Sequence, residues 1–278
     1  MTQTKRKIGG PRRARVRPGT RPRKTGARTS VDPALRLFDA YTRIGPATRP
    51  PLYPALSPAD LLAEMDRCGA DEALVSHAGF QISSVQETNR QVAAWCAGSP
   101  RLHPIWSILP PQTGEMELAT LLPAMARAGV KVLQARPAQH RYILSRLVCG
   151  EMLDALTARH IPLILESDWP LVYAILKEFP SLTVIAVGHG CWGSDRFFRP
   201  LLETYENFHI DTATFELDGG LPALVRTYGA TRIVYSSGYH DHPMGGASLL
   251  LRSVDIDARS RALIAHGNLK RLLDQVEL

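Results

Sequence analysis

The chain has 278 residues, of which 45% are hydrophobic and 21% charged, and its formal net charge is +7 at pH 7. This composition is ordinary for a globular protein, and it excludes an intrinsically disordered chain that is too polar to form a hydrophobic core. The longest apolar runs have the length of a strand, well short of the about 20 residues that a membrane span needs, so we expect no membrane contact. The four cysteines are widely spaced and form no CxxC pair, which predicts reduced thiols and a cytoplasmic protein.

The positive charge is concentrated at the N-terminus. Residues 1–30 contain eleven Lys and Arg and no acidic residue, so the remainder of the chain carries a net charge of −4. This segment has almost no large apolar residue and no hydrophobic run typical of a secretory signal, and we predict a disordered basic arm over residues 1–33. A solvated leader is the favoured interpretation, and an arm for nucleic acid or another anionic surface is the alternative.

From residue 35 onward, short apolar runs alternate with longer segments of helical periodicity. Strands are predicted over residues 35–41, 72–77, 102–109, 130–134, 162–166, 182–187, 208–211 and 232–235. Helices are predicted over residues 57–68, 84–97, 115–128, 150–159, 169–178, 194–205 and 217–228, then 247–251, 257–265 and 268–274, with a loop through Arg136 and Tyr142. Eight strand-then-helix units predict an α/β protein, a (β/α)₈ TIM barrel over residues 34–278. A doubly wound sheet would alternate similarly, but the first strand-to-helix turn lacks GxGxxG.

The active site of such a barrel lies at the C-terminal ends of its strands, so the residues that close each strand are the candidates. Several of these segments, in their order along the chain, resemble amidohydrolase-related family 2, the metal-dependent hydrolases and decarboxylases of the amidohydrolase superfamily. The segments that carry the resemblance are FDAYTRIG, MLDALTARHIPLILE, FPSLTVIAVGHG, YENFHIDTATF, GATRIVYSSGYHDHP and HGNLKRLL.

The resemblance also implies a metal site that this chain lacks in its usual form. The two family histidines of the first strand fall at Tyr41 and Arg43, the histidine of the fifth strand at Glu166 and the aspartate of the eighth at Gly238. Only the histidine of the sixth strand is retained, as His189. A hydrolytic Zn²⁺ needs three protein ligands and an open position, and a guanidinium is a permanent cation that cannot be a ligand. We therefore predict no metal cofactor.

A rebuilt divalent metal site, for example for Zn²⁺, is the less favoured alternative. Its ligands would come from His189, Glu166, His240, Asp241 and His242. The favoured interpretation is an ion pair between Arg43 and Glu166 across the barrel mouth, in which the guanidinium would replace the positive charge of the metal ion. This pair could be purely structural. In the functional version, Arg43 and Arg136 bind a carboxylate or phosphate, and His189, oriented by Glu166, is the general acid or base.

The predicted catalytic residues are thus His189, Glu166 and Arg43, and the predicted substrate-binding residues are Tyr41, Arg136, Tyr239, His240 and Asp241. The resemblance implies a hydrolase or decarboxylase that acts on a small carbonyl or carboxylate substrate. The alternative is a pseudoenzyme, a non-catalytic barrel that binds a ligand or a partner protein. We expect a small-molecule substrate and no nucleic acid, and the resemblance implies a homodimer.

Overall fold

The structure is a computed structural model that describes residues 34–48, 51, 53–188, 194–214 and 220–278. The predicted basic arm and His189 lie outside these residues. Eight parallel strands follow one another around a single sheet in chain order, which confirms the TIM barrel. They are β1 (Phe38–Ile44), β2 (Glu72–His77), β3 (Leu102–Ser107), β4 (Val132–Ala135), β5 (Leu163–Glu166), β6 (Val184–Val187), β7 (Phe208–Asp211) and β8 (Ile233–Val234).

The barrel closes between β1 and the segment that begins with β8. The backbone N–H of Ala40 donates to the carbonyl of Tyr235 at 2.9 Å, and that of Arg43 donates to the carbonyl of Tyr239 at 2.7 Å. These two bonds place the segment after β8 beside β1, as the ladder of β4 and β5 places those two strands side by side. The residues that follow neighbouring strands therefore meet at the C-terminal rim.

The helices of the described residues surround the barrel. They are α1 (Pro58–Cys68), α2 (Val85–Ala97), α3 (Leu118–Ala128), α4 (Pro137–His140), α5 (Arg146–Ala158), α6 (Trp169–Glu178), α7 (Asp195–Thr204), α8 (Gly220–Tyr228), α9 (Met244–Ser253), α10 (Ala258–Ala262) and α11 (Asn268–Asp274). A π-helical turn, Leu263–Gly267, joins the last two. None of these helices is long and apolar enough to cross a membrane.

The ends of α1 illustrate how local sequence sets the helix boundaries. Ser57 caps the N-terminus and forms a reciprocal capping box with Asp60, and Pro58 takes the first helical position. Gly69 ends the helix with φ of 70°, a left-handed conformation that glycine adopts without steric cost. The sequence predicts a loop over residues 137–140, whereas the structure forms α4 there. One helical turn is too short to produce a periodic pattern.

The core has two layers. Side chains that point into the barrel, including Phe38, Ile105, Val132, Ile164 and Ile185, pack with one another and fill its interior. A larger apolar layer lies between the strands and the surrounding helices. Strands covered on both faces are almost entirely apolar, so the polar side chains at their C-terminal ends stand out as departures from the pattern.

Candidate functional site

A cavity of about 610 Å³ opens at the C-terminal end of the barrel, and its volume is within the range of small-molecule sites. It lies where the sequence places the active site. Its polar wall includes Tyr41, Arg43, Arg136, Gln139, Glu166, Ser167, Asp168, Asp211, Asp241 and His242, and its apolar wall includes Ala135, Leu171, Val187 and Ala213.

Arg136 is a deeply buried cation of this cavity, with 1% of its side chain exposed. One guanidinium nitrogen donates to Glu166 Oε1 at 2.5 Å, and another donates to the Tyr41 hydroxyl. The guanidinium carbon lies 3.9 Å from the centroid of the Phe80 ring, so the cation is also stacked on an aromatic face. Glu166 is 45% exposed and accepts a longer hydrogen bond, 3.4 Å from Gln139 Nε2. The buried member of this ion pair is therefore the cation.

Arg43 forms the second ion pair of the cavity, with Asp241 in the loop after β8. Its side chain is 14% exposed and that of Asp241 is 46% exposed, so again the cation is the more buried partner. The predicted Arg43–Glu166 pair is wrong, because each residue pairs with a neighbour from the adjacent strand. β5 adjoins β4, which leads into Arg136, and β1 adjoins β8, which leads into Asp241.

Tyr41 lies between the two cations. Its ring centroid is 5.8 Å from the guanidinium carbon of Arg43 and 6.0 Å from that of Arg136. Each guanidinium keeps a buried Nε–H that has no hydrogen-bond partner among the described residues. The site thus presents two cations, each paired with a carboxylate, with an aromatic ring between them and one unused Nε–H on each among the described residues.

Two of the predicted substrate-binding residues, Tyr239 and His240, do not line the cavity. Among the described residues, Asp241 and His242 line the cavity, whereas Tyr239 and His240 do not. His240 is buried, and its Nδ1 lies 3.0 Å from Asp241 Oδ1. Burial, with the positive charge of Arg43 nearby, lowers the pKa of His240 to about 4, so its imidazole is neutral at pH 7. Burial also raises the pKa of Tyr239 to about 12. Neither side chain is charged at pH 7.

Two acids, Asp39 in β1 and Asp211 at the end of β7, are not among the predicted site residues. Both are fully buried, and Asp211 lines the cavity. The signal is present in the sequence, since each acid interrupts an apolar strand and carboxylates are rare at fully buried positions. The predicted role of His189 as a general acid or base concerns a residue outside the described ranges.

A family model described as amidohydrolase matches residues 39–274, which is most of the chain. The chain belongs to this amidohydrolase family. A comparison with curated proteins gives no match.

Solved structures of similar proteins share the fold of this amidohydrolase family member at low sequence identity. An uncharacterised TIM-barrel protein from Bordetella bronchiseptica has a TM-score of 0.67 and 16% identity, covering 87% of this chain and 99% of its own. The 2,6-dihydroxybenzoate decarboxylase from Rhizobium has a TM-score of 0.66 and 16% identity, with coverages of 86% and 99%. The 5-carboxyvanillate decarboxylase from Novosphingobium aromaticivorans, complexed with manganese and 4-hydroxy-3-methoxy-5-nitrobenzoic acid, has a TM-score of 0.70 and 12% identity, with coverages of 89% and 98%.

The described residues of this amidohydrolase family member do not fit a divalent metal at the position that the family resemblance implies. Arg43 and Arg136 place two guanidinium groups in the cavity, and Gly238 offers no side-chain donor. Within the described ranges, no three His, Cys, Asp or Glu side chains are arranged so that they could hold a metal ion. A guanidinium is a permanent cation with no free electron pair, so neither arginine can be a ligand.

Proposed function

We propose that the cavity binds the carboxylate of a small organic acid through Arg43 and Arg136, and that the protein catalyses hydrolysis or decarboxylation of that acid. The observation that carries this proposal is the pair of largely shielded guanidinium groups on one cavity wall, each with an unused Nε–H among the described residues. They lie near the positions where the family resemblance implies a cationic metal.

The exposure of the two ion pairs supports ligand exchange. A desolvated cation requires an anionic partner, because an unpaired charge in such a site is strongly unfavourable. Glu166 and Asp241 are nearly half exposed, so water can hydrate their carboxylates when they turn away. A ligand carboxylate can then take their place on the guanidinium, where bidentate hydrogen bonding gives both strength and orientation. In this proposal Glu166 and Asp241 are exchangeable partners of the two cations.

The rest of the wall favours an acid with an apolar body. Ala135, Leu171, Val187 and Ala213 line the same cavity as the Tyr41 side chain. A fixed guanidinium stabilises negative charge that develops on a reacting oxygen, a contribution that a metal would otherwise make. We assign proton transfer to His189 and a supporting position behind Asp241 to Tyr239 and His240.

A non-catalytic barrel that binds the same class of ligand is the second candidate. It is favoured by the missing metal donors at Tyr41, Arg43 and Gly238, because the chain lacks side chains that its family resemblance would assign to catalysis. The two candidates share the anion site and differ only in turnover. Binding and turnover therefore have to be measured separately.

The binding test uses benzoate as the probe in isothermal calorimetry. We expect the wild-type protein to bind benzoate and Arg136→Met to bind it at least tenfold more weakly, because the variant loses a buried cation of the wall. Arg146→Met is the matched control: Arg146 also stacks on an aromatic ring, with its guanidinium carbon 4.0 Å from the Phe179 centroid, but it does not line the cavity. Equal benzoate affinity in all three proteins would refute the anion site.

A chemical rescue tests whether Glu166 is an exchangeable partner. Glu166→Gln removes the charge that faces Arg136 but leaves the cation buried, so we expect the variant to be less stable than the wild type. Acetate should then raise the melting temperature of Glu166→Gln more than that of the wild type, because ligand binding stabilises the folded state. Acetate should have no comparable effect on Arg136→Met. Equal shifts in the two variants would show that acetate acts elsewhere.

Turnover is tested with a panel of carboxylic acids that includes 2,6-dihydroxybenzoate and 5-carboxyvanillate. Release of CO₂ or of a hydrolysis product supports the catalytic candidate, provided that Arg136→Met loses this activity and Arg146→Met retains it. Benzoate binding with no turnover across the panel favours the non-catalytic barrel instead.

A further inference from the structure

A second cavity, the N-terminal cavity, has a volume of about 760 Å³ and is lined in part by residues at the N-terminal ends of β6, β7 and β8 and in α11. Among the described residues, it shares no lining residue with the cavity at the C-terminal end of the barrel, so the proposed function does not use it. Its volume is within the range of small-molecule sites. The charged and titratable side chains that line it are those of His160, Glu203, Glu206, His209, Arg232 and Arg271.

The two arginines of this wall form no ion pair with a described residue, and their hydrogen bonds there go to backbone carbonyls. Arg232 donates from one guanidinium nitrogen to the carbonyls of Leu202 and Tyr205. Arg271 donates from one nitrogen to the carbonyl of Thr231 at 3.3 Å. A carbonyl orients a guanidinium but does not neutralise it, and a guanidinium has five N–H donors. Each arginine therefore keeps its positive charge and several donors for a ligand.

The backbone places both arginines beside β7. The N–H of Ile210 in β7 donates to the carbonyl of Arg232 at 3.1 Å, so Arg232 adjoins the residue that follows His209. The guanidinium of Arg271 is bonded to Thr231, which directly precedes Arg232. His209, Arg232 and Arg271 therefore come together on one part of the wall.

His209 supplies a hydrogen-bond acceptor to this wall. It is 3% exposed, and its Nδ1 lies 3.1 Å from the carbonyl oxygen of Asn207, which can only accept, so Nδ1 carries a proton. Burial, with the charges of Arg271 and Arg232, lowers the pKa of His209 to about 4, so the ring is neutral at pH 7 and Nε2 has a free electron pair. Nε2 has no hydrogen-bond partner among the described residues and is not one of their buried unpartnered atoms, so it is accessible. Because His209 lines the N-terminal cavity, Nε2 faces that cavity.

The two acids of the wall leave these groups available. Glu203 and Glu206 are both exposed, and Glu203 accepts the hydroxyl of Tyr228 at 2.6 Å. Within the described part of the chain, neither carboxylate pairs with an arginine of the cavity. The wall near β7 is therefore cationic, with one neutral acceptor.

We propose that the N-terminal cavity binds the phosphate group of a phosphate monoester or of inorganic phosphate, with Arg232 and Arg271 on its anionic oxygens and Nε2 of His209 sharing its proton. The free electron pair of Nε2 requires a donor, whereas the two guanidinium groups require anionic oxygens. A phosphate group exchanges its last proton at about pH 6, so it can offer both near neutral pH. A carboxylate, a sulfate or a phosphodiester has no such proton at pH 7.

Isothermal calorimetry with inorganic phosphate tests the site on the full chain at pH 7. We expect the wild type to bind phosphate and Arg271→Met to bind it at least tenfold more weakly, because the variant loses one of the two cations. Arg271 is exposed, so its substitution leaves the core intact. Lys270→Met is the matched control, since Lys270 is a neighbouring cation of α11 that pairs with Asp274 and does not line the cavity. Equal phosphate affinity in all three proteins would overturn the proposal.

Arg136→Met shows whether phosphate binds at the other end of the barrel instead. We expect this variant to bind phosphate as the wild type does, because Arg136 does not line the N-terminal cavity. A loss of phosphate binding in Arg136→Met would place phosphate in the anion site and overturn the proposal. Failure of benzoate to bind would refute the proposed function and leave the phosphate result unaffected.

A series of anions tests the shared proton. Sulfate and dimethyl phosphate should each bind at least tenfold more weakly than phosphate, and equal affinity for sulfate and phosphate would overturn the role of His209. In NMR, saturating phosphate should shift the Nε2 resonance of His209 and raise its pKa above about 4, and an unmoved resonance would overturn that role as well. Phenyl phosphate distinguishes the two sources of the group. Binding at least as tight as that of phosphate indicates a monoester ligand, and exclusion of phenyl phosphate indicates inorganic phosphate.

Discussion

Replacing Asp39 by asparagine should stabilise the fold, and the gain should depend on pH in a defined direction. The amide oxygen of the variant can still accept the N–H groups of Tyr41 and Ser237, and the second carboxyl oxygen has no partner among the described residues to lose. The variant therefore removes a buried charge while it keeps the hydrogen bonds that hold the chain.

The magnitude follows from the pKa. Burial raises the pKa of Asp39 from 3.8 to about 6, a difference that corresponds to about 3 kcal/mol at 1.36 kcal/mol per pKa unit. The folded-state pKa of Asp39 lies above its unfolded-state pKa. The contribution of Asp39 to the free energy of unfolding is therefore fully present below pH 3.8 and is lost as the pH rises through about 6. Asp39→Asn does not undergo this loss. Its advantage over the wild type should grow by about 2.4 kcal/mol between pH 4 and pH 8, because part of the about 3 kcal/mol is already lost at pH 4.

Urea unfolding of the wild type and Asp39→Asn, followed by circular dichroism at half-unit steps from pH 4 to pH 8, measures this difference. Asp255→Asn serves as the control, since it changes an exposed acid and should leave the pH dependence of the wild type unaltered. A difference between Asp39→Asn and the wild type that stays constant across the range would refute the reasoning, because it would mean that Asp39 titrates alike in the folded and unfolded chain.

Three further predictions concern single sites. Gly238→Asp, which restores the family aspartate, should destabilise the fold by about 1–3 kcal/mol in urea unfolding, because φ is +65° and a Cβ there would lie 3.1 Å from His242. The same variant should bind no Zn²⁺ in metal analysis. His209 and His240, whose pKa values burial lowers to about 4, should titrate by NMR near that pH. Their contribution to stability is present above pH 6.5 and is lost as the pH falls through about 4, so His209→Gln and His240→Gln should each lose less stability over this range than the wild type in urea unfolding. Tyr41→Phe should weaken benzoate binding less than Arg136→Met does in calorimetry, because it removes one hydroxyl contact of Arg136 and leaves the cation in place.

The sequence predicts the barrel well because each of its elements has a local signal. The start of α1 at Ser57 and Pro58 follows from capping chemistry, and α6 and α11 have the bounds that periodicity gives them. The predicted strand ends are less accurate. β1 begins at Phe38 and not at residue 35, because the apolar pattern extends beyond the residues that pair with β2. Apolar periodicity records burial, whereas a strand boundary depends on pairing with another part of the chain.

The site shows the same division between local and long-range information. The residue types at Tyr41, Arg43, Arg136 and Glu166 indicate a charged barrel mouth, and all four line the cavity. Their pairing depends on which strands are neighbours. Strand order in a barrel is itself predictable, and applying it pairs Arg136 with Glu166 and Arg43 with the loop after β8. The sequence alone does not give the depth of burial of each member, because depth depends on how far each loop rises above the rim.

The exposure of the two ion pairs has a consequence for how an anion site can replace a metal site. A metal ion is held by several donors and keeps an open position for its ligand. Arg136 is held in a comparable way, by the Phe80 ring, the Tyr41 hydroxyl and Glu166, and of these three partners Glu166 is the one that is both charged and half exposed. Its carboxylate therefore corresponds to the exchangeable position, while the ring and the hydroxyl keep the cation in place when that carboxylate leaves. The same reasoning requires that ligand affinity fall when Glu166 binds Arg136 more tightly, so a ligand carboxylate and Glu166 must compete for one guanidinium.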